Sequence, residues 1–477
     1  VRRATKIVCT LGPASLSEDT IAAMIGAGMD VARLNTSHGS LEEHARAIEL
    51  VRSAGRRVGK DVAILLDLAG PKLRTGPTEG GRPLNLVDGQ RVRITERLVH
   101  GTEELFTIAY PHLLEDVRPG TRILLDDGLI ELEAESVEDG CVVARVVHGG
   151  LLGPNKGVHI PGAELSAAPL TERDVAALQL GIERGVDFVA LSFVRRPQDL
   201  RELREQMLRA GGEVPVVAKI ERQQALHRLE EIVAEADGVM VARGDLGVEV
   251  GPAEVPIWQR RIIAAAAREK VPVITATQML ESMIDSPRPT RAEASDVANA
   301  VWDRSDALML SGETAVGRFP VEAVAMMDRI IRTAESVLDE IPVVLPTSRE
   351  DDHSFVVALA ARNIVESDPN MRAIACFTKS GYSAFLLSKV YPRVPIVAIT
   401  PSPQVARRLH LARSVVPLLG EWVEHIEEMF ELVDRLLPAH GFAQPGEEAV
   451  VVASVPVRAS GVTNFLKLHQ VSAAQEP

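Results

Sequence analysis

Eight short apolar runs, each followed by a polar or glycine-rich turn and then by an Ala/Leu/Glu-rich stretch, constrain this chain more than any other feature. They are residues 6–10 (KIVCT), 30–35 (DVARLN), 62–67 (VAILLD), 187–193 (DFVALSF), 215–220 (PVVAKI), 238–242 (GVMVA), 272–276 (PVITA) and 306–310 (DALML). Continuous apolar runs separated by helices are the pattern of parallel strands buried on both faces. Eight such units in series predict a closed (β/α)8 TIM barrel, an α/β fold. An open doubly wound sheet usually has fewer strands, and its glycine fingerprint is absent here. Aromatic residues make up only 3% of the chain, so Ala, Val, Leu and Ile must fill the cores.

Polar residues gather at the C-terminal ends of these runs: Arg33, Asn35, Ser37, Asp67, Ser192, Lys219, Glu221, Arg243, Asp245, Thr277 and Ser311. In a barrel those ends converge on one mouth, where such folds place their chemistry. The rhythm breaks between the third and fourth runs. There the sequence turns to RVRIT, TRILLDDGLIELEA and CVVARVV with Gly, Asp and Asn turns. This predicts a small β-barrel lid, residues 71–167, inserted into a catalytic domain formed by residues 1–70 and 168–341. A Pro/Ser/Asp-rich connector at 342–354 leads to a C-terminal α/β domain, 342–477. That domain is expected to hold a helix over 354–365 and strands at 373–378, 395–400, 449–453 and about 462–468, ending in a frayed tail at 471–477.

The charge balance, 52 cationic against 66 acidic residues for a net −14, argues against nonspecific nucleic-acid or anionic-membrane binding. It leaves room for anionic substrates, because a local cluster of cations can reverse the field inside a cleft. Cys9, Cys141 and Cys376 lie far apart with no CxxC spacing, which suits a reducing compartment. No signal-peptide core opens the sequence, and no run reaches the roughly 18 apolar residues of a membrane span. A cytoplasmic location is therefore expected.

Several clusters carry candidate chemistry. In RLNTSHG, Arg33 offers a planar fork for a phosphoryl group, and Asn35, Ser37 and His38 offer neutral hydrogen-bonding groups. The same string also reads as a polar turn before a Ser40-capped helix. LLDLAGPKLRTG sets Asp67 at a strand end with Lys72 and Arg74 beyond it, suiting a polyphosphate or a solvated hinge. Lys219 and Glu221 of AKIE share one strand face, either as a buried ion pair or as a catalytic cation beside a metal ligand.

VARGDLGVE flanks Asp245 with Gly244 and Gly247, leaving backbone amides open. With Glu221, Asp245 makes an all-oxygen pair suited to Mg²⁺ or Mn²⁺. Thr277 of TATQML orients a small anion or caps the following helix. GxxxxGK[ST], HRD and DFG are absent, which excludes P-loop and protein-kinase enzymes. Arginine, lysine and a two-carboxylate metal site, without an obvious covalent nucleophile, suit phosphoryl transfer, or an aldolase or lyase acting on an enolate.

At this point the sequence resembles pyruvate kinase over nearly its whole length. The resemblance rests on TKIVCTLGPAS, ARLNTSHG, LDLAGPKLRTG, NKGVHIPG, AKIE, VMVARGDLGVEV, TATQMLESM, PTRAEASDVANA and MLSGETAVGRFPVEAV. It implies transfer of the phosphoryl group of phosphoenolpyruvate to ADP, giving pyruvate and ATP at the last step of glycolysis. Arg33 and Lys219 would contact the phosphoryl group, and Glu221 and Asp245 would hold Mg²⁺. The amides of Gly244 and Asp245, with Thr277, would take the substrate carboxylate. Asn35, His38, Arg74 and Lys156 would face the nucleotide, and Ser311 would lie near the proton path to the enolate.

The family also implies a homotetramer. FTKSGYSA, with Thr378, Lys379, Ser380, Gly381 and Ser383, resembles the loop that grips a phosphorylated effector, a sugar phosphate or nucleotide monophosphate. It reads equally as a bare strand-to-helix turn. Many members have DTKGPEIRTG where this chain has DLAGPKLRTG. Leu68 thus replaces a threonine that helps bind K⁺, and Lys72 replaces a glutamate. The family has a K⁺-independent branch with lysine at this position, whose ammonium serves as an internal cation, so no K⁺ requirement is expected. Thr36, in place of the more usual phenylalanine, has no role that the sequence supplies. An enolate-using lyase would have little need for Lys156, Arg74 and a lid. An inactive effector-binding protein would have no need for Lys219, Glu221 and Asp245 together.

Overall fold

The computed structural model describes residues 2–163, 165–346, 352–421, 423–456 and 462–473. Parts of the expected connector (347–351), of the segment before the last strand (457–461) and of the tail (474–477) lie outside the described residues. The eight apolar runs form β1 (Lys6–Thr10), β2 (Val31–Asn35), β3 (Ala63–Leu68), β4 (Phe188–Leu191), β5 (Val216–Ile220), β6 (Gly238–Ala242), β7 (Val273–Ala276) and β8 (Ala307–Leu310). They pair in parallel and close in the order β1-β8-β7-β6-β5-β4-β3-β2.

Alternate residues point into the barrel. Val8, Val31, Ala63, Leu65, Val217, Met240 and Ile274 fill it, with Phe188 as the aromatic member of that cluster. Residues between them, such as Ile7, Ile64, Leu66, Val216 and Val239, face the helical ring. Capping fixes where those helices begin. Ser40 with Glu43, Thr171 with Asp174 and Thr290 with Glu293 each form a reciprocal capping box.

One device repeats at the floor, the N-terminal end of the barrel. Asp30, Asp187, Asp237 and Asp306 precede every second strand, and each carboxylate accepts the backbone N–H of a residue on the strand before it. The donors are Ile7 (3.0 Å), Ile64 (2.8 Å), Val216 (2.8 Å) and Val273 (2.8 Å). Each aspartate also has a cation: Arg3 and Lys60 for Asp30, Arg52 and Arg407 for Asp187, Arg204 for Asp237, and Lys389 for Asp306. Asp30, Asp187 and Asp306 are not the first strand residues that the apolar runs lead one to expect. They lie one step before the strands, where a carboxylate can reach across to the neighbour.

The C-terminal part forms a five-stranded sheet of β9 (Met371–Phe377), β10 (Ile396–Thr400), β11 (Val415–Leu419), β12 (Glu448–Ala453) and β13 (Phe465–Gln470), in the order β11-β10-β9-β12-β13. The strand β11 escaped the sequence reading because VVPLL contains Pro417. It sits at the sheet edge, where a proline removes no needed ladder bond. This part docks on the barrel floor. Lys6 Nζ donates to Val415 O at 2.6 Å, Ser414 N donates to Ala4 O at 3.0 Å, and Leu411 packs among the inward residues of the barrel. At the other end, between β3 and β4, the chain makes a six-stranded sheet and a two-stranded ribbon, Leu84–Leu86 with Gly150–Leu152. Their apolar cluster includes Ile94, Phe106, Ile123, Leu132 and Val142.

Candidate active site

At the mouth, the C-terminal ends of β2, β3, β4 and β5 bring five polar side chains, Arg33, Asp67, Ser192, Lys219 and Glu221, together in a buried cluster. Arg33 Nε donates to Asp67 Oδ2 at 2.6 Å, and its Nη1 donates to Thr10 Oγ1 at 2.9 Å. Lys219 Nζ lies 2.6 Å from Ser192 Oγ, 2.9 Å from Glu221 Oε1 and 3.2 Å from Asp67 Oδ1. Glu221 Oε2 accepts the Phe193 N–H at 2.7 Å. Burial disfavours the Lys219 ammonium, but Asp67 and Glu221 outweigh it and keep the lysine charged beyond its ordinary range. Burial likewise works against the Asp67 carboxylate, and Lys219 and Arg33 hold it below the usual range. Glu221 goes the other way. Burial and the nearby charge of Asp245 push its carboxyl up despite Lys219.

Asp245 is thus near enough for its charge to act on Glu221. Asp245 sits in the first turn of the helix Arg243–Val250, directly after β6. Among the described residues no group of three or more His, Cys, Asp or Glu side chains could enclose a metal. Glu221 and Asp245 offer oxygen donors only. Oxygen donors of this kind are what a hard cation takes.

Thr277 carries φ of +70°, a left-handed conformation that is costly for a β-branched residue. Arg243 holds it there: Nη2 donates to Thr277 O at 2.6 Å, Nε to Ala276 O at 3.2 Å, and Nη1 lies 2.8 Å from Asp296. Thr277 Oγ1 then accepts the Gly244 N–H at 2.9 Å. Ser311 follows β8; its N–H donates to Glu313 Oε2 at 2.7 Å, and its buried Oγ has no hydrogen-bond partner among the described residues. Thr36, which the sequence left without a role, donates through Oγ1 to Asp67 O at 3.0 Å and accepts the Ala69 N–H at 3.1 Å. It pins the chain as β3 turns toward the lid.

The expected nucleotide-side residues are more dispersed. Asn35 Oδ1 accepts the Ser37 N–H at 3.1 Å, shaping the turn, and His38 is exposed. Arg74 donates to Asn155 O at 3.1 Å, and Lys156 Nζ lies 3.0 Å from Asp126. Lys72 is exposed, and its Cε lies beside Gly157 of the lid. It lines both a cavity of about 780 Å³ shared with Gly244, Asp245 and Gln278 and one of about 530 Å³ shared with Ser37, Arg74 and Thr171. In the C-terminal part, Thr378 Oγ1 accepts the Gly381 N–H at 2.9 Å, and Ser383 Oγ pairs with Thr463 Oγ1 at 2.6 Å. Lys379 and Ser380 are exposed.

Sequence reasoning gave no role to Arg243, Glu313 or His159. His159, on the lid and 2% exposed, lies 3.6 Å from Asp245 and 3.5 Å from Glu249. Arg222 reaches the same Glu249 at 2.8 Å. The string NKGVHIPG held the only signal for His159: a histidine in an apolar lid strand needs polar company.

Residues 2–324 match the pyruvate kinase barrel domain, and residues 356–469 match the pyruvate kinase alpha/beta domain. The chain belongs to the pyruvate kinase family. It is 43% identical over 473 residues to a pyruvate kinase of Sporosarcina psychrophila, covering 98% of this chain and 80% of that relative. With a pyruvate kinase of Corynebacterium efficiens it shares 44% identity over 471 residues, covering 98% of both. The solved structure of a pyruvate kinase from Cryptosporidium parvum superposes with a TM-score of 0.91 at 34% identity, over 98% of this chain and 96% of the other. Like other pyruvate kinases, the chain is an enzyme that passes a phosphoryl group between phosphoenolpyruvate and ADP. No helix among the described residues is long and apolar enough to cross a membrane.

Proposed function

We propose that the barrel mouth carries out this transfer with Mg²⁺ held by Glu221 and Asp245, Mn²⁺ serving in its place, and without K⁺. The buried cluster of Arg33, Asp67, Lys219 and Glu221 carries the reading, because it fixes two cations in a site shielded from water. Lys219 and Arg33 face the phosphoryl group, where fixed positive charge offsets the charge that spreads over its oxygens. Asp67 orients both cations and touches no substrate. Thr277 and the Gly244–Asp245 amides receive the substrate carboxylate; Gly244 N–H is presently bonded to Thr277 Oγ1, so both groups already converge on one point. Magnesium, when bound, neutralises charge on the enolate and phosphoryl oxygens. Ser311, with an unpartnered Oγ, stands on the proton path to the enolate.

The lid, placed at residues 71–167 between barrel segments 1–70 and 168–341, carries Arg74 and Lys156 toward the nucleotide phosphates with Asn35 and His38 opposite. Its closure excludes water from the donor. Lys72, lining both mouth cavities, supplies the fixed cation in place of K⁺. The domain from 342 to 477 serves regulation and assembly. Its loop at Thr378, Lys379, Ser380, Gly381 and Ser383 takes a phosphorylated effector, and the working form is a cytoplasmic homotetramer.

The test is the initial rate of pyruvate formation from phosphoenolpyruvate and ADP with Mg²⁺, with and without K⁺ at matched ionic strength. Equal rates are expected for the wild type, and Lys72→Glu should become K⁺-dependent. A wild type that needs K⁺ would remove the role given to Lys72. No pyruvate under either condition, with effector present, would remove the catalytic reading.

A further inference from the structure

A cavity of about 940 Å³ opens at the seam between the barrel floor and the C-terminal part, far from the mouth and not lined by the 378–383 loop. Seven arginines and two glutamates line it, in a chain whose net charge is −14. Such a reversal of sign makes the cavity an attractor for anions.

The partners of these arginines differ. Arg413 lies 3.5 Å from Glu335, Arg372 lies 2.9 Å from Glu447, and Arg3 is held by Asp30 and Asp328. Their charges are met. Arg2 donates to the His440 carbonyl at 2.5 Å and stacks 3.9 Å over the Phe442 ring. Arg393 donates to the carbonyls of Val365 (2.5 Å) and Asp368 (2.7 Å). The Glu366 carboxylate beside it takes the Arg393 backbone N–H at 3.1 Å, not the guanidinium. Arg362, on the helix His353–Ser367, meets no hydrogen-bond or ion-pair partner among the described residues, and its Nε is buried. Three guanidiniums therefore face one cavity without a carboxylate among the described residues. A buried donor left unpaired is costly, and the planar guanidinium fork matches phosphate oxygens two at a time.

We infer that this seam cavity is a binding site for a multiply charged phosphate group, free or carried on a small molecule, with Arg362 as its anchor and Arg2 and Arg393 flanking it. The volume lies within the range of small-molecule sites and exceeds what the ion alone needs. Arg2 belongs to the segment that leads into β1, and Arg362 and Arg393 belong to the C-terminal part. An anion held between them ties the two together.

Crystals of the full chain soaked in tungstate, a phosphate mimic, test the placement. An anomalous peak within reach of Arg362, Arg2 and Arg393 is expected in the wild type, and none at that position in Arg362→Gln. A wild-type cavity with no peak overturns the inference. Calorimetric titration with inorganic pyrophosphate provides the solution arm. One binding event should weaken at least tenfold in Arg362→Gln and persist in Ser380→Ala; indistinguishable titrations of Arg362→Gln and wild type overturn the inference as well. Ribose 5-phosphate binding tighter than inorganic phosphate assigns an ester to the site. Equal binding assigns the free ion, and both results uphold the site.

Discussion

At the floor of the barrel, Asp30, Asp187, Asp237 and Asp306 each close a backbone hydrogen bond and meet a cation; at the mouth, Glu221 and Asp245 are set against each other. Both ends bury charge beside charge. The floor uses it to satisfy the ladder where strands begin, and the C-terminal part seals it over. The mouth leaves a carboxyl pushed up, a serine hydroxyl without a partner and a threonine at positive φ. Local frustration of this kind marks groups arranged for a ligand rather than for one another. The same residue types thus do structural work at one rim and chemical work at the other.

Lys219→Met should separate the rims most sharply. Pyruvate formation is expected to fall about a thousandfold or more, as for the loss of a central charge-stabilising group. The melting midpoint should move little, because Arg33 still pairs with Asp67. A large drop in melting temperature with activity largely retained would make the mouth cluster structural and erase the contrast.

Asp306→Ala is the mirror experiment. It strips Lys389, 1% exposed, of its counter-charge and Val273 of its acceptor. Urea unfolding should show a loss of about 3–5 kcal/mol, while turnover per folded molecule stays within threefold. A turnover loss matching that of Lys219→Met, without destabilisation, would assign the floor to the chemistry.

The third effect is smaller and depends on pH. Burial holds His410, in the segment docked on the floor, down at about 3, although Asp30 nearby favours its charged form and Lys6 and Lys60 oppose it. In the unfolded chain an imidazole takes its proton near pH 6.5. Below that pH the unfolded state therefore binds a proton that the folded state refuses, and stability falls as pH falls. The slope from this one group is roughly 1.4 kcal/mol per pH unit between about 6.5 and 3. Calorimetric melting at pH 7.5 and 5.0 should show it, and His410→Gln should reduce the difference. An unchanged difference would mean that His410 charges freely and the floor is less sealed than its burial indicates.

The barrel was legible because its signal is local: each apolar run and each helix announces itself within a dozen residues. The mouth residues were legible for a related reason, since a polar side chain ending an apolar run needs an explanation. What escaped was relational. Asp30, Asp187 and Asp306 looked like the first residues of strands because their reach to Ile7, Ile64 and Val273 spans separate segments. Thr36, Arg243 and His159 act by holding something on another element, and no spacing in the chain encodes that. Pro417 hid an edge strand by obeying a rule that applies only inside a sheet.

Leu411 has a consequence for the order in which the molecule can be made. It fills the foot of a barrel whose last strand ends at Leu310, so roughly a hundred further residues must leave the ribosome before the plug exists. Lys389, the counter-charge of Asp306, is also synthesised late. Until then, all eight strands can be present while the floor stays wet and one of its buried carboxylates stands alone. The barrel is thus completed from behind.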